Sequence, residues 1–225
     1  QLITSSILHL KFVDCQLLED DLDFLKDTLE KADLTLQRTF VKQTSLEILY
    51  PKIRSLTIEY LSYIQFLDPV PVRALSLSNN ISIRRQPHVK CLTLDSQSYY
   101  REYADVLACF PNLHTFAFTT RYYSSFVIDQ NFLLNVHKRA AQLKKLILIR
   151  LIWGKFPYLR IRFLQLKTLD VSCTAFFDAD SESILGKFTF MCPKLKYILF
   201  TKEDAFHHEQ KLQSLKKLFP RLKFI

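Results

Sequence analysis

Ile7-Leu8-His9-Leu10-Lys11-Phe12-Val13-Asp14-Cys15-Gln16-Leu17 places apolar residues at its first, fourth, sixth and eleventh positions and a cysteine at its ninth. Val72-Arg73-Ala74-Leu75-Ser76-Leu77-Ser78-Asn79-Asn80 repeats the spacing with asparagine at the ninth. Both fit the template L-x-x-L-x-L-x-x-C/N-x-L, a short alternating stretch followed by a corner. Further copies start at Lys31, Ile53, Val89, Leu113, Leu143, Leu166, Leu195 and Leu222. Successive starts lie 17 to 30 residues apart, about 24 on average. Template positions one, four and six are apolar at 28 of 29 sites, where a 48% hydrophobic composition gives about 14. A second mark agrees on the phase. Five of the eight prolines (Pro51, Pro87, Pro111, Pro193 and Pro220) stand two residues before a start. Proline lacks the N–H and disfavours helix in the residue before it, so it ends an outer segment as the next strand begins.

The period dictates an architecture. Each alternating stretch is a short strand with one apolar side, and the residues after it must carry the chain back across that side. Steps of 24 or more leave room for a helix. Leu17–Lys31, Tyr99–Phe110 and Asp129–Gln142 have helical patterning, and Thr201-x-x-Asp204 resembles a capping box ahead of a helix over Phe206–Phe219. Between Ile53 and Val89 the steps of 19 and 17 are too short for strand plus helix, so extended or single-turn structure is expected. No Ser/Gly-rich linker interrupts the array. The expectation is one α/β domain over residues 1–225, a solenoid with a curved, mainly parallel sheet of about ten short strands and helices and irregular segments on the convex side.

Composition narrows the chemistry. The two glycines, Gly154 and Gly186, cannot form the clustered glycine loops of P-loop, dinucleotide-binding or protein-kinase sites. The apolar run Leu146–Trp153 is broken by Arg150, far short of the ~20 residues of a membrane span, so no membrane role is expected. Cys15, Cys91, Cys109, Cys173 and Cys192 are odd in number and form no C-x-x-C pair, which argues against a disulfide framework or zinc site and for buried free thiols in an intracellular protein, cytoplasmic or nuclear. Asn80-Ile81-Ser82 is a chance sequon on that reading. The net charge of +9 and pI near 9.3 suit acidic partners. The chain opens at Gln1 without a leader, so it is expected to be a piece of a longer protein.

With those residues in hand, the chain resembles leucine-rich repeat proteins, and more narrowly the irregular, cysteine-containing repeats of F-box proteins. Cys15 at position nine carries that narrower resemblance, together with Cys192-Pro193-Lys194-Leu195, Phe110-Pro111-Asn112-Leu113 and Phe219-Pro220-Arg221-Leu222, which are similar to the C-P-x-L opening of such repeats. The resemblance implies protein–protein recognition by the concave face, as the substrate-recognition part of a cullin-type (Skp1–cullin–F-box) ubiquitin ligase. Nothing in the chain looks like the F-box itself; Skp1 would be bound by a segment upstream of Gln1.

No catalytic residues, metal or cofactor are expected, because no G-x-S-x-G, H-E-x-x-H or paired Cys/His signature occurs. Adjacent histidines on a helix project about 100° apart, so His207-His208-Glu209 is assigned to a solvated face, as is His137. Position two of the strands is more informative. It holds Arg54, Arg73, Lys90, Lys144, Lys167, Lys196 and Lys223, with His114 among them. Equivalent residues in a parallel stack lie ~4.8 Å apart, so these charges form a ladder along one margin of the sheet. Position five reads Lys11, Thr35, Thr57, Ser76, Thr93, Ala117, Ile147, Asp170 and Leu199, a trough of small side chains in the middle. Tyr60, Tyr197 and Phe224 stand near its ends as anchors, and Arg121 and Arg150 mark the loops after the strands. The candidate partner-binding set is therefore Arg54, Tyr60, Arg73, Lys90, Arg121, Lys144, Arg150, Lys167, Lys196 and Tyr197. The alternatives are a basic module binding RNA or DNA, favoured by Arg84-Arg85, Lys138-Arg139, Lys144-Lys145, the Lys155/Arg160/Arg162 group and Arg121-Tyr122-Tyr123, or a structural scaffold.

Overall fold

The computed structural model describes residues 9–28, 32–39, 41, 46–59, 69–78, 82–95, 99, 102–120, 126–154, 161–174, 176 and 180–225. Ten strands form one parallel sheet: β1 (His9–Val13), β2 (Ala32–Gln37), β3 (Ile53–Glu59), β4 (Ala74–Leu77), β5 (Cys91–Asp95), β6 (Thr115–Thr119), β8 (Lys145–Ile149), β10 (Thr168–Asp170), β11 (Tyr197–Leu199) and β12 (Lys223–Phe224). Their order in space is their order in sequence. Two short strands outside it, β7 (Val127–Ile128) and β9 (Ile152–Trp153), pair in parallel with each other. The helices given whole by the described residues are α1 (Glu19–Thr28), α2 (Tyr103–Ala108), α3 (Gln130–Arg139), α4 (Ser181–Met191), α5 (Lys202–His207) and α6 (Glu209–Leu218).

The alternation of the sequence sets the register. Position-four residues Leu34, Leu56, Leu75, Leu92, Phe116, Leu146, Leu169 and Ile198 are paired strand to strand and fully or almost fully buried. Position six follows with Leu36, Ile58, Leu77, Leu94, Phe118 and Leu148. These side chains, together with Leu22, Leu107, Phe132, Leu185 and Leu215 from the helices, join a single hydrophobic cluster reaching from Leu17 to Leu222. One repeat, that of β6, carries phenylalanine at both positions, Phe116 and Phe118, and the space around them is filled by an aromatic group. Phe118 lies 4.9 Å from Phe126, 5.4 Å from Phe132 and 5.5 Å from Tyr103, ring centre to ring centre.

The prolines mark turns. Leu195 N–H donates to the Cys192 carbonyl and Leu222 N–H to the Phe219 carbonyl, with Pro193 and Pro220 at the second residue of each turn, where their fixed φ is favourable. Ala140–Leu143 and Phe163–Leu166 close the same way without proline. Pro51 instead sits in a 3₁₀ turn, Tyr50–Lys52, directly ahead of β3.

Position eight was not anticipated. Among the described residues, the non-glycine residues with positive φ are Asp14 (53°), Arg38 (47°), Arg150 (58°) and Cys173 (53°), and each is the eighth residue of its repeat. A left-handed residue there turns the chain out of the strand toward the core-covering segment. Gly154 answers a different need. A Cβ on it would meet Val127 Cγ1 at 2.8 Å, so only glycine lets β9 approach β7 closely, and its N–H donates to the Ile128 carbonyl at 2.9 Å.

Caps explain the helices. Asp129 accepts from Phe132 N–H at 2.8 Å and Asp180 from Ser183 N–H at 3.2 Å. Thr201 and Asp204 form the expected capping box, and the Asp204 carboxylate also accepts from Cys173 N–H at 3.0 Å, tying α5 to the preceding repeat. Several expectations need correction. The single helix over Phe206–Phe219 is two, broken at His208, which leaves helical geometry (φ −123°). Helix α4 and the β7–β9 pair lay outside the sequence reading. The last strand is shifted by one residue: Tyr197 pairs with Lys223 and Ile198 with Phe224, so Ile225, expected at the inward fourth position, is 62% exposed. Only Cys192 among the thiols is buried; the other four are half-buried.

Two substitutions test this packing. Leu92→Ala removes a fully buried position-four side chain and should cost ~2–5 kcal/mol in urea denaturation. At position eight, Cys173→Gly should be neutral or stabilising, whereas Cys173→Val should destabilise by about 1–2 kcal/mol, since a β-branched residue resists positive φ. Equal midpoints for the two Cys173 variants would remove conformational strain as the reason for the difference.

Candidate functional site

The sheet has two unlike faces. Positions four and six point into the hydrophobic cluster that the helices share. Positions three and five point away from it, and even their apolar members Ile147, Tyr197 and Leu199 stay outside the cluster. No helix among the described residues packs on this second, open face, where Thr35, Thr57, Ser76 and Thr93 are half-buried and Ala117 is buried. Its centre is the predicted row of small side chains, in register: Thr35 beside Thr57, then Ser76, Thr93 and Ala117. Beyond Ala117 the row continues through Ile147, Asp170 and Leu199.

Along the N-terminal margin of that face the position-two residues form an unbroken backbone ladder. Lys90 N–H donates to the Arg73 carbonyl, His114 to Lys90, Lys144 to His114, Lys167 to Lys144, Lys196 to Lys167 and Lys223 to Lys196, at 2.7–2.9 Å. From Arg73 to Lys196, each of these carbonyls but one also accepts the next N–H of the following strand, so the strand starts are held level. Arg73, Lys144, Lys167, Lys196 and Lys223 are exposed and Lys90 is half-buried. None is ion-paired among the described residues. The His114 imidazole has its pKa lowered, first by burial and then by the positive charges of Lys144, Lys90 and Arg73.

Arg54 departs from this pattern. The β2–β3 register slips between Ala32 and Asp33, leaving Arg54 as the extra residue of a bulge. Its guanidinium makes a two-pronged ion pair with Asp33, Nε to Oδ1 at 2.9 Å and the second prong to Oδ2. Ser55 Oγ donates to the same carboxylate at 2.6 Å and His9 Nδ1 lies 3.3 Å away. The Arg54 hydrogen bonds, outweighing partial burial, hold the Asp33 carboxyl well below its ordinary 3.8, at about 2. Arg54 is thus engaged within the protein and is not a free member of the ladder. A similar bidentate pair joins Arg38 to Asp14, and Lys145 lies 3.9 Å from Asp170.

The remaining candidates separate. Arg150 follows β8 and Lys144 precedes it, so they stand at opposite ends of one strand and do not form one patch. Tyr197 is half-buried on the open face, paired with Thr168 on one side and Lys223 on the other. Tyr60 and Arg121 lie outside the described residues, as do Tyr122, Tyr123, Lys155, Arg160 and the asparagine of the sequon. His137 is not solvated. It is half-buried, packing edge-on against Phe163 at 5.2 Å; its Nδ1 is buried with no hydrogen-bond partner among the described residues, and burial lowers its pKa. Its helix leads into the next turn, and that neighbour was not visible in the sequence. His207 and Glu209 are exposed, and no group of potential metal ligands occurs among the described residues. Burial pushes the Cys192 thiol up to about 12 and raises Cys109, which disfavours nucleophilic thiolates at both. Among the described residues no helix is long and apolar enough to cross a membrane. No family model matches the chain, and comparison with curated proteins finds no match.

The Asp33 network carries a pH signature. A carboxyl with a depressed folded pKa adds stability that is complete above about 3.8 and lost as pH falls through about 2. Asp33→Asn should therefore lower stability by about 1 kcal/mol at neutral pH, after solvent screening at the half-exposed guanidinium, and flatten the acid limb in that window. Acid titration of unfolding in both proteins reads it; identical limbs would dismiss the pair as a stabilising contact.

Proposed function

We propose that this chain is a leucine-rich repeat array that recognises a protein through the open, concave side of its sheet, as the substrate-recognition part of a cullin-type ubiquitin ligase of the F-box kind. The observation that carries the reading is the open face itself. Five consecutive strands, β2 to β6, present small side chains in register on a face where no helix among the described residues packs, half-buried from Thr35 to Thr93 and buried at Ala117. A row of small residues admits another chain's side chains close to the sheet. Larger ones, Tyr197 and Leu199, flank it toward the end and supply apolar anchoring area. The repeat period, the in-register template positions and the proline turns at Cys192–Leu195 and Phe219–Leu222 support the leucine-rich assignment. The F-box association rests on those turns and on Cys15.

The reading is tested with a protein that co-purifies with the full-length chain. Thr93→Arg places a bulky cation in the middle of the small-residue row and should abolish that partner's binding. Tyr197→Ala should leave association unchanged and speed dissociation roughly tenfold or more, as for a buried anchor. Wild-type kinetics in both variants would move the site off this face.

A further inference from the structure

The basic margin selects the chemistry of the partner. Resting on the open-face reading, we infer that the ladder from Arg73 to Lys196 is a binding strip for an acidic, extended segment of the partner protein, laid across the strands along their N-terminal margin. Three features on the molecule point there.

The first is the contrast between paired and unpaired cations. Where an acidic neighbour exists the protein uses it: Arg38 with Asp14, Arg54 with Asp33, Lys145 with Asp170. From Arg73 onward, position two carries cations with no carboxylate partner among the described residues. The bulge that turns Arg54 to Asp33 is where the strip begins.

The second is spacing. Adjacent rungs are ~4.8 Å apart, less than the ~8 Å screening length of physiological salt, so neighbouring charges act together. His114, the one rung without a permanent charge, is itself within the field of Lys90 and Lys144. The five steps from Arg73 to Lys196 span about 24 Å, the length of about seven extended residues, and the slip of β12 sets Lys223 beside Tyr197 just past the last rung. A carboxylate-bearing segment of that length can meet the whole strip, with long lysine stems absorbing the mismatch between its own spacing and the rungs.

The third is the ledge beside the strip. Position three next to the rungs is mostly small or neutral (Ala74, Cys91, Thr115, Thr168), and its one lysine, Lys145, is already near Asp170. A backbone can rest there without meeting a carboxylate.

The probes are a fluorescent decaglutamate peptide and decathymidine, followed by anisotropy at low and physiological salt. Arg73→Glu/Lys144→Glu/Lys167→Glu should bind decaglutamate at least about tenfold more weakly than the wild type. Lys138→Glu/Lys216→Glu/Lys217→Glu, with the same net charge but on exposed helix positions, should change it less than about twofold. If the reversed ladder set does not fold, Arg73→Gln/Lys144→Gln/Lys167→Gln should still show about a threefold loss. Equal losses in ladder and helix sets would overturn the inference in favour of net charge alone. Ladder-dependent binding of decathymidine tighter than that of decaglutamate would overturn it in favour of nucleic acid. Loss of the co-purified partner in Thr93→Arg with undiminished decaglutamate binding by the ladder set would keep the open-face reading and sink the strip.

Discussion

Stacking of the inward position-four side chains from Leu34 to Ile198 constrains everything else in this molecule. Each is buried against its counterparts one repeat away, and a strand slipped by one residue would present its polar side to the core. Burial therefore holds the register of the open face as tightly as that of the hidden one. The small residues at position five and the cations at position two are aligned because the leucines between them are. No contact on the exposed side has to enforce that alignment.

The elements that were legible in the sequence are those governed by local repetition. The alternating stretches, the proline-marked strand entries, the helical pattern from Asp129 and the Thr201/Asp204 box all reflect residue chemistry within a few positions of one another. What escaped depends on neighbours a repeat away. Arg54 looked like any other rung until the bulge brought it to Asp33, and His137 looked solvent-facing until Phe163 covered it. The pairing of β7 with β9 joins residues 25 positions apart through two-residue strands, too short to give a periodic signal. At the end of the sheet, β12 is bordered on one side only, and a slip of one residue there lets Phe224 rather than Ile225 face inward.

The candidate site was legible in composition and less so in extent. The ladder and the row of small residues could be written down from template positions alone, because equivalent positions become neighbours in a parallel sheet. Which cations remain unpaired could not, since that depends on where the few carboxylates fall. Arg54 illustrates the distinction: its template position matched the ladder, but the bulge delivered it to Asp33.

The corners at position eight bear on the unfolded chain as well as the folded one. With two glycines in 225 residues, the denatured protein has little of the backbone freedom that glycine confers, so less conformational entropy opposes folding. The same scarcity means that left-handed turns fall to Asp14, Arg38, Arg150 and Cys173, each at a strain of roughly 1 kcal/mol. Rigidity of the disordered state and tension at the ordered corners are two consequences of one compositional choice, and they act on stability in opposite directions.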